Sequence, residues 1–130
     1  MDTPILAGGS FAVVERVTGI GGVFFRARDP EALTAWYEQH LGVPVSHGYV
    51  VFPESHDTHW VPFAADTDYW PADKQGMVNF TVRDLDALLE QLRTAGVEVD
   101  ERVEEHEFGR FGWAIDPEGN RFELWEPPRR

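Results

Sequence analysis

The run RFELWE near the end of the chain alternates, so Arg121, Glu123 and Trp125 share one side and Phe122 and Leu124 the other. A carboxylate on a strand face among aromatic rings can act as a general base or receive a cationic group of a ligand. It can equally form a plain ion pair with Arg121. Histidine is the second chemistry-bearing type. His47, His56 and His59 fall within thirteen residues, a density that suits a divalent metal. His56 and Asp57 stand in PESHDT, a turn-like sequence that faces water. His40 falls at a helix end, where its charge complements the dipole.

Other residues suit a pocket wall. Asn79 and Thr81 replace apolar residues on one strand face, and a buried amide needs a ligand, a water or a neighbour to satisfy it. Trp60, Trp113 and Trp125, with Phe24 and Phe111, offer aromatic surface for ligand or for core. Alternation does not settle which side of Phe111–Ile115 faces inward. Arg110, in FGRFG, can bind an anion or pair with the acidic run Asp100, Glu101, Glu104, Glu105 and Glu107, whose charges blunt a sheet edge. Serine-triad context, phosphate-cradling glycine loops and dinucleotide fingerprints are missing.

Elements that position these residues come in two copies. GGVFFRARDPEALTAWYEQHLGVPV, from Gly21, matches GMVNFTVRDLDALLEQLRTAGVEV, from Gly76, at a shift of 55 positions. Val23 falls on Val78, Phe25 on Phe80, and Arg28-Asp29 on Arg83-Asp84. Such a period signals a duplicated supersecondary unit. In the first copy, 22–27 reads as a strand. Asp29 then caps a helix with Pro30 at its first position, and Gly42 ends it. The second copy repeats this with Val78, Phe80 and Val82 on the strand, Asp84 as cap, and Leu85, Leu88, Leu89 and Leu92 as the helix stripe, Gly96 ending it. Further strands are expected over 49–52 and 59–63 in the first copy, and over 108–115 and 121–125 in the second. The last two are joined by the turn DPEGN, where Gly119 and Asn120 accept positive φ.

The expected class is therefore α+β: two tandem βαβββ modules forming a cupped mixed sheet with helices outside. The expected organisation is an N-terminal extension (1–20), with an edge strand within 11–17, and one domain over 21–130. That domain divides into module one (21–64), a linker (65–75) and module two (76–127). Tyr69 and Trp70 of the linker are expected to tuck against the body, with a lid role as the alternative reading.

The chain's 130 residues suffice for a core without staples, and there are no cysteines, which suits a reducing cytoplasm. A net charge of −12 opposes binding to nucleic acid or anionic lipid. No apolar run is long enough to span a bilayer, and Asp2 with no basic residue beside it does not suit a secretory signal.

The stretches VFFRARDPEALTAWYEQHLGV, VNFTVRDLDALLEQLRTAGVEV and FGRFGWAIDPEGNRFELWEP cover about half the chain, and in them it resembles the vicinal oxygen chelate superfamily. That group includes glyoxalase I, extradiol dioxygenases, and bleomycin- and fosfomycin-resistance proteins. The resemblance implies a small-molecule ligand held in the cup, and a homodimer more often than a monomer. In metal-dependent members the first strand of each module supplies a ligand. The corresponding positions here are Gly22 and Met77, which are also equivalent by the repeat. Glycine has no ligand atom, and a thioether suits hard divalent ions poorly. The closing-strand carboxylate is present as Glu123, and His59 is the ligand type available for the fourth position.

These residues imply a glyoxalase-like small-molecule-binding protein without the usual metal set and with no cofactor. Its pocket is expected to comprise Phe24, His59, Trp60, Asn79, Thr81, Trp113, Arg121 and Trp125, with acid–base catalysis through Glu123 if it turns substrate over. One alternative is a divalent-metal-dependent lyase or dioxygenase using His59 and Glu123. Another is a resistance-type protein that sequesters its ligand, for which an acidic, Trp-rich cup suits a cationic aromatic compound.

Overall fold

The computed structural model describes residues 23–53 and 57–128. In chain order the elements are α1 (Pro30–Leu41), β1 (Val45–Ser46), β2 (Tyr49–Val50), β3 (Val78–Thr81), α2 (Leu85–Thr94), β4 (Glu98–Val99), β5 (Glu104–His106), β6 (Gly109–Ile115) and β7 (Arg121–Glu126). The class is α+β. One sheet runs β3-β7-β6-β4, with β5 pairing along β6. β3 lies parallel to β7, with Asn79 opposite Glu123. The remaining ladders are antiparallel and place Trp113 opposite Glu123 and Phe111 opposite Trp125.

One face of this sheet carries the core. Leu85, Leu89 and Leu92 of α2 are buried against Ala114, Phe122 and Leu124, and Trp36, Tyr37 and Leu41 of α1 join them. Each buried leucine contributes roughly 1.5–3 kcal/mol. Gly112 lets the helix come this close, because a Cβ there would stand 3.1 Å from Leu89 Cδ1.

Both helices start as the sequence predicts. Asp29 accepts from the Ala32 N–H and Asp84 from the Ala87 N–H, each at 3.1 Å. Gly42 closes α1 with a φ of +64°, and Gly96 follows α2 at +80°. Each start is held a second time by a distant carboxylate. Glu118 accepts from the Arg28 and Asp29 N–H groups at 2.7 and 3.0 Å. Glu126 accepts from the Leu85 N–H at 2.8 Å.

The DPEGN turn therefore clasps the first helix as well as joining two strands. Buried Asp116 takes the Tyr37 hydroxyl at 2.7 Å, the N–H groups of Glu118 and Asn120, and the Asn120 amide. Gly119 has the positive φ expected, +82°. Asn120 does not; its side chain bonds Asp116 instead.

The first copy keeps its helix and little of its sheet. The expected strand over 22–27 is not formed across 23–27, where Val23, Phe24 and Phe25 are exposed. The strand expected over 49–52 shrinks to β2, in a hairpin turning through His47 and Gly48 at φ +54° and +84°. The strand expected over 59–63 carries no ladder among the described residues. In the second copy β3 has β7 to bond to. The first copy's counterpart of β7 reads THWVPF, and Pro62 removes a ladder donor from it. The expected extension 1–20, Gly22 and His56 lie outside the described residues. Among the described residues no helix is long and apolar enough to cross a membrane.

Candidate functional site

The face of the sheet turned away from α2 gathers most of the chemistry-bearing residues. Along β6, Gly112 and Ala114 face the helix, so Phe111, Trp113 and Ile115 take the other side beside Arg121, Glu123 and Trp125 of β7. Trp113 is fully buried, and Phe111 stacks on Trp125 at 6.0 Å between centroids.

Glu123 is the centre of this face, 8% exposed. Its Oε1 accepts from the Asn79 amide at 2.7 Å. Its Oε2 accepts from Trp113 Nε1 at 3.0 Å and from the Tyr69 hydroxyl. A carboxylate has roughly four lone-pair directions, so among the described residues three are taken and one on Oε1 remains. Burial, then donation to Glu123 and the nearness of its charge, push the Tyr69 phenol well above its ordinary range.

Arg121 does not pair with Glu123. It reaches Asp100 at 3.1 Å. The Arg102 N–H and then Arg121 hold the Asp100 carboxyl below the usual range. The guanidinium carbons of Arg121 and Arg102 lie 5.3 and 5.0 Å from the Trp113 ring centroid. Arg121 Nε is buried with no hydrogen-bond partner among the described residues.

The other predicted residues are placed variously. His59 meets the Trp125 ring edge-on at 5.7 Å. Thr81 is exposed opposite Trp125 in the parallel ladder. Phe24 and Trp60 are 95% and 77% exposed and take no part in the ring contacts of this face. Arg110 pairs with Asp86 at 2.8 Å and Glu105 at 3.0 Å, on the acidic side that its sequence context offered.

The sequence offered Tyr69 packing against the body or a part in a lid, and not its bond to Glu123. Its ring stands at 89° to Trp113, 5.9 Å away, and Phe63 packs on both Tyr69 and Trp70. Two aromatic residues inside the polar run AADTDYWPADKQ were the available signal.

A divalent ion suits this set poorly. Glu123 would offer one lone pair, Met77 a thioether and His59 an imidazole, fewer good ligands than catalytic sites use. Among the described residues no three His, Cys, Asp or Glu side chains group to hold a metal. His47 instead shares a 2.9 Å contact with the Ser46 hydroxyl. A separate open cleft of about 550 Å³ lies between Arg26, Ala27, Arg28, Asp73, Lys74 and Glu118. Its charges are partly spent, since Arg28 pairs with Glu118 at 3.6 Å and Lys74 donates to the Glu118 carbonyl at 3.1 Å.

The family model of the glyoxalase/bleomycin resistance protein/dioxygenase superfamily matches residues 19–124. Among solved structures, a domain from Frankia sp. EAN1pec described by that same triple name is 20% identical, with a TM-score of 0.60, covering 87% of this chain and 100% of its own. A protein of unknown function from Agrobacterium tumefaciens str. C58 is 21% identical, with a TM-score of 0.52, covering 84% and 98%. TnmS3, an antibiotic binding protein from Streptomyces sp. CB03234, is 24% identical, with a TM-score of 0.49, covering 77% and 88%. At these identities a structural likeness speaks to fold alone. No match was found among curated protein sequences.

Proposed function

Because this chain belongs to the glyoxalase/bleomycin resistance protein/dioxygenase superfamily, we propose that it binds a small organic molecule against the β3-β7-β6 sheet face, with Glu123 as the polar anchor. One observation carries the reading: a buried carboxylate on a face it shares with Phe111, Trp113 and Trp125, bonded to three donors and with one lone pair unmatched among the described residues. Burying such a charge costs several kcal/mol and is sustained only by dedicated partners. Asn79, Trp113, Arg121 and Trp125 form the wall, and His59 borders it.

Sequestration fits this arrangement better than turnover. Sequestration asks only that Glu123 anchor the ligand, whereas turnover would also need its one remaining lone pair to reach a substrate proton. The test is a thermal-shift screen of small aromatic compounds on the wild type and on Glu123→Gln. Compounds that raise the wild-type Tm should lose at least about tenfold in affinity in the variant. A library without effect, or hits indifferent to the substitution, would refute the reading. So would near-stoichiometric Ni, Zn, Mn or Fe in protein purified without added metal, if that metal were lost in Glu123→Ala.

The exposed apolar side chains concentrate in the first copy, at Val23, Phe24, Phe25, Tyr49, Val51, Phe52, Trp60, Val61 and Phe63. This supports a homodimer in which a second copy covers those segments. Light scattering should give twice the chain mass; a single chain mass at micromolar concentration would exclude it.

A further inference from the structure

We infer that the ligand is a hydroxylated aromatic compound, and that it takes the seat now held by the Tyr69 side chain. This rests on the proposal that the Glu123 face binds a small molecule. The chain already presents such a group there: a phenol donates to Glu123 Oε2 while its ring stands edge-on to Trp113 and packs on Phe63.

The segment bearing Tyr69, residues 64–75, is hydrogen-bonded mostly within itself. Its internal bonds run from Thr67 N–H to the Ala64 carbonyl, from Tyr69 N–H to the Thr67 hydroxyl, from Lys74 N–H to the Pro71 carbonyl, and from Trp70 Nε1 to the Lys74 carbonyl, at 3.0–3.3 Å. Its side-chain hydrogen bonds to the rest of the described protein are two: Tyr69 to Glu123, and Lys74 Nζ to the Glu118 carbonyl. Gly76 follows it with open space where a side chain would stand. The segment can lift at Tyr69 while Lys74 holds its far end.

The vacated seat dictates what replaces the phenol. Without it, Glu123 Oε2 keeps Trp113 alone as donor, and a buried acceptor left unmade is costly. The incoming group must therefore donate, which excludes plain hydrocarbons. The flanking Trp113 and Phe63 call for an aromatic body. A neutral head fits the seat best, because its present occupant is a neutral phenol, and Asp100 and Glu104 are already paired with Arg121 at 3.1 Å and Arg102 at 3.4 Å. A neutral aromatic hydroxyl satisfies all three conditions.

The probes are p-cresol, toluene and benzylamine, titrated while the indole N–H resonance of Trp113, assigned by triple-resonance NMR, is followed. In the wild type p-cresol should shift that resonance saturably, with toluene at least about tenfold weaker and benzylamine no better than toluene. Tyr69→Phe keeps the ring and removes the competing hydroxyl, so it should bind p-cresol about tenfold tighter. Equal binding of p-cresol and toluene, preference for benzylamine, or unchanged affinity in Tyr69→Phe would each overturn the inference. Compounds without a hydroxyl that shift Trp113 more strongly than p-cresol would overturn it and leave binding at Glu123 standing. If no small molecule moves Trp113, both readings fall.

Discussion

Tyr37→Phe isolates the clasp that ties the first helix to the last hairpin. The substitution removes one hydroxyl and leaves the ring, which packs against Trp36, Phe80 and Phe122 at 5.0, 5.9 and 5.8 Å. Asp116 is 4% exposed and takes four donors: the Tyr37 hydroxyl at 2.7 Å, the Asn120 amide and the Glu118 N–H at 2.8 Å each, and the Asn120 N–H at 3.0 Å. Losing the phenol leaves one lone pair of a buried carboxylate unmade.

A hydrogen bond to a charged group contributes roughly 1.5–3 kcal/mol, and relief from burying the hydroxyl offsets part of that. The expected loss is about 2 kcal/mol at pH 7, or roughly 8 °C in Tm for a domain of this size. Urea titration should lower the midpoint with an unchanged slope. In a double-mutant cycle with Asp116→Ala, the coupling should be about 1.5–3 kcal/mol. A loss under about 0.5 kcal/mol, or additive single effects, would refute the clasp as a stabilising contact.

Alkaline stability should follow the same phenols. Burial first, then Asp116 for Tyr37 and Glu123 for Tyr69, raise both folded values above the unfolded value of 10.0. Their contribution is therefore complete below pH 10 and is lost as the pH climbs from there through the folded values. Tyrosinate absorbance at 295 nm should show two phenols whose ionisation is delayed, and Tyr69→Phe should remove one; both ionising by pH 10 would contradict this. Gly112→Ala should cost about 1–3 kcal/mol in urea unfolding, because the new methyl meets Leu89 at 3.1 and 3.2 Å and Leu85 at 3.4 Å. A gain in stability, the usual result of replacing glycine in a strand, would show that α2 yields freely.

The local signals in the chain were legible. Asp29-Pro30, Gly42, Asp84 and the leucine stripe of α2 each act through neighbours within a few positions, and each helix forms where they put it. The shared side of Arg121, Glu123 and Trp125 followed from alternation alone. The side of Trp113 did not, because Gly112 and Ala114 give little contrast in polarity.

Long-range pairings were not legible. Nothing in the turn DPEGN tells that Glu118 caps a helix some 90 positions earlier. Tyr69 reaches Glu123 across 54 positions from a run with no periodicity. Arg121 beside Glu123 suggested an ion pair, but β6 places Trp113 between charges, and Asp100 takes the arginine. The first copy's strands failed for a related reason. Repeat logic transfers propensity, whereas a ladder needs a partner strand, and Pro62 sits where one would form.

The most direct test of ligand binding at Glu123 is a crystal structure of the protein with the strongest thermal-shift hit. Difference density is expected on the sheet face, within hydrogen-bond reach of Glu123 and beside Asn79 and Trp113, with the 64–75 segment displaced at Tyr69. Density in the cleft of Arg26, Arg28 and Lys74 instead, with Tyr69 still bonded to Glu123, would contradict it.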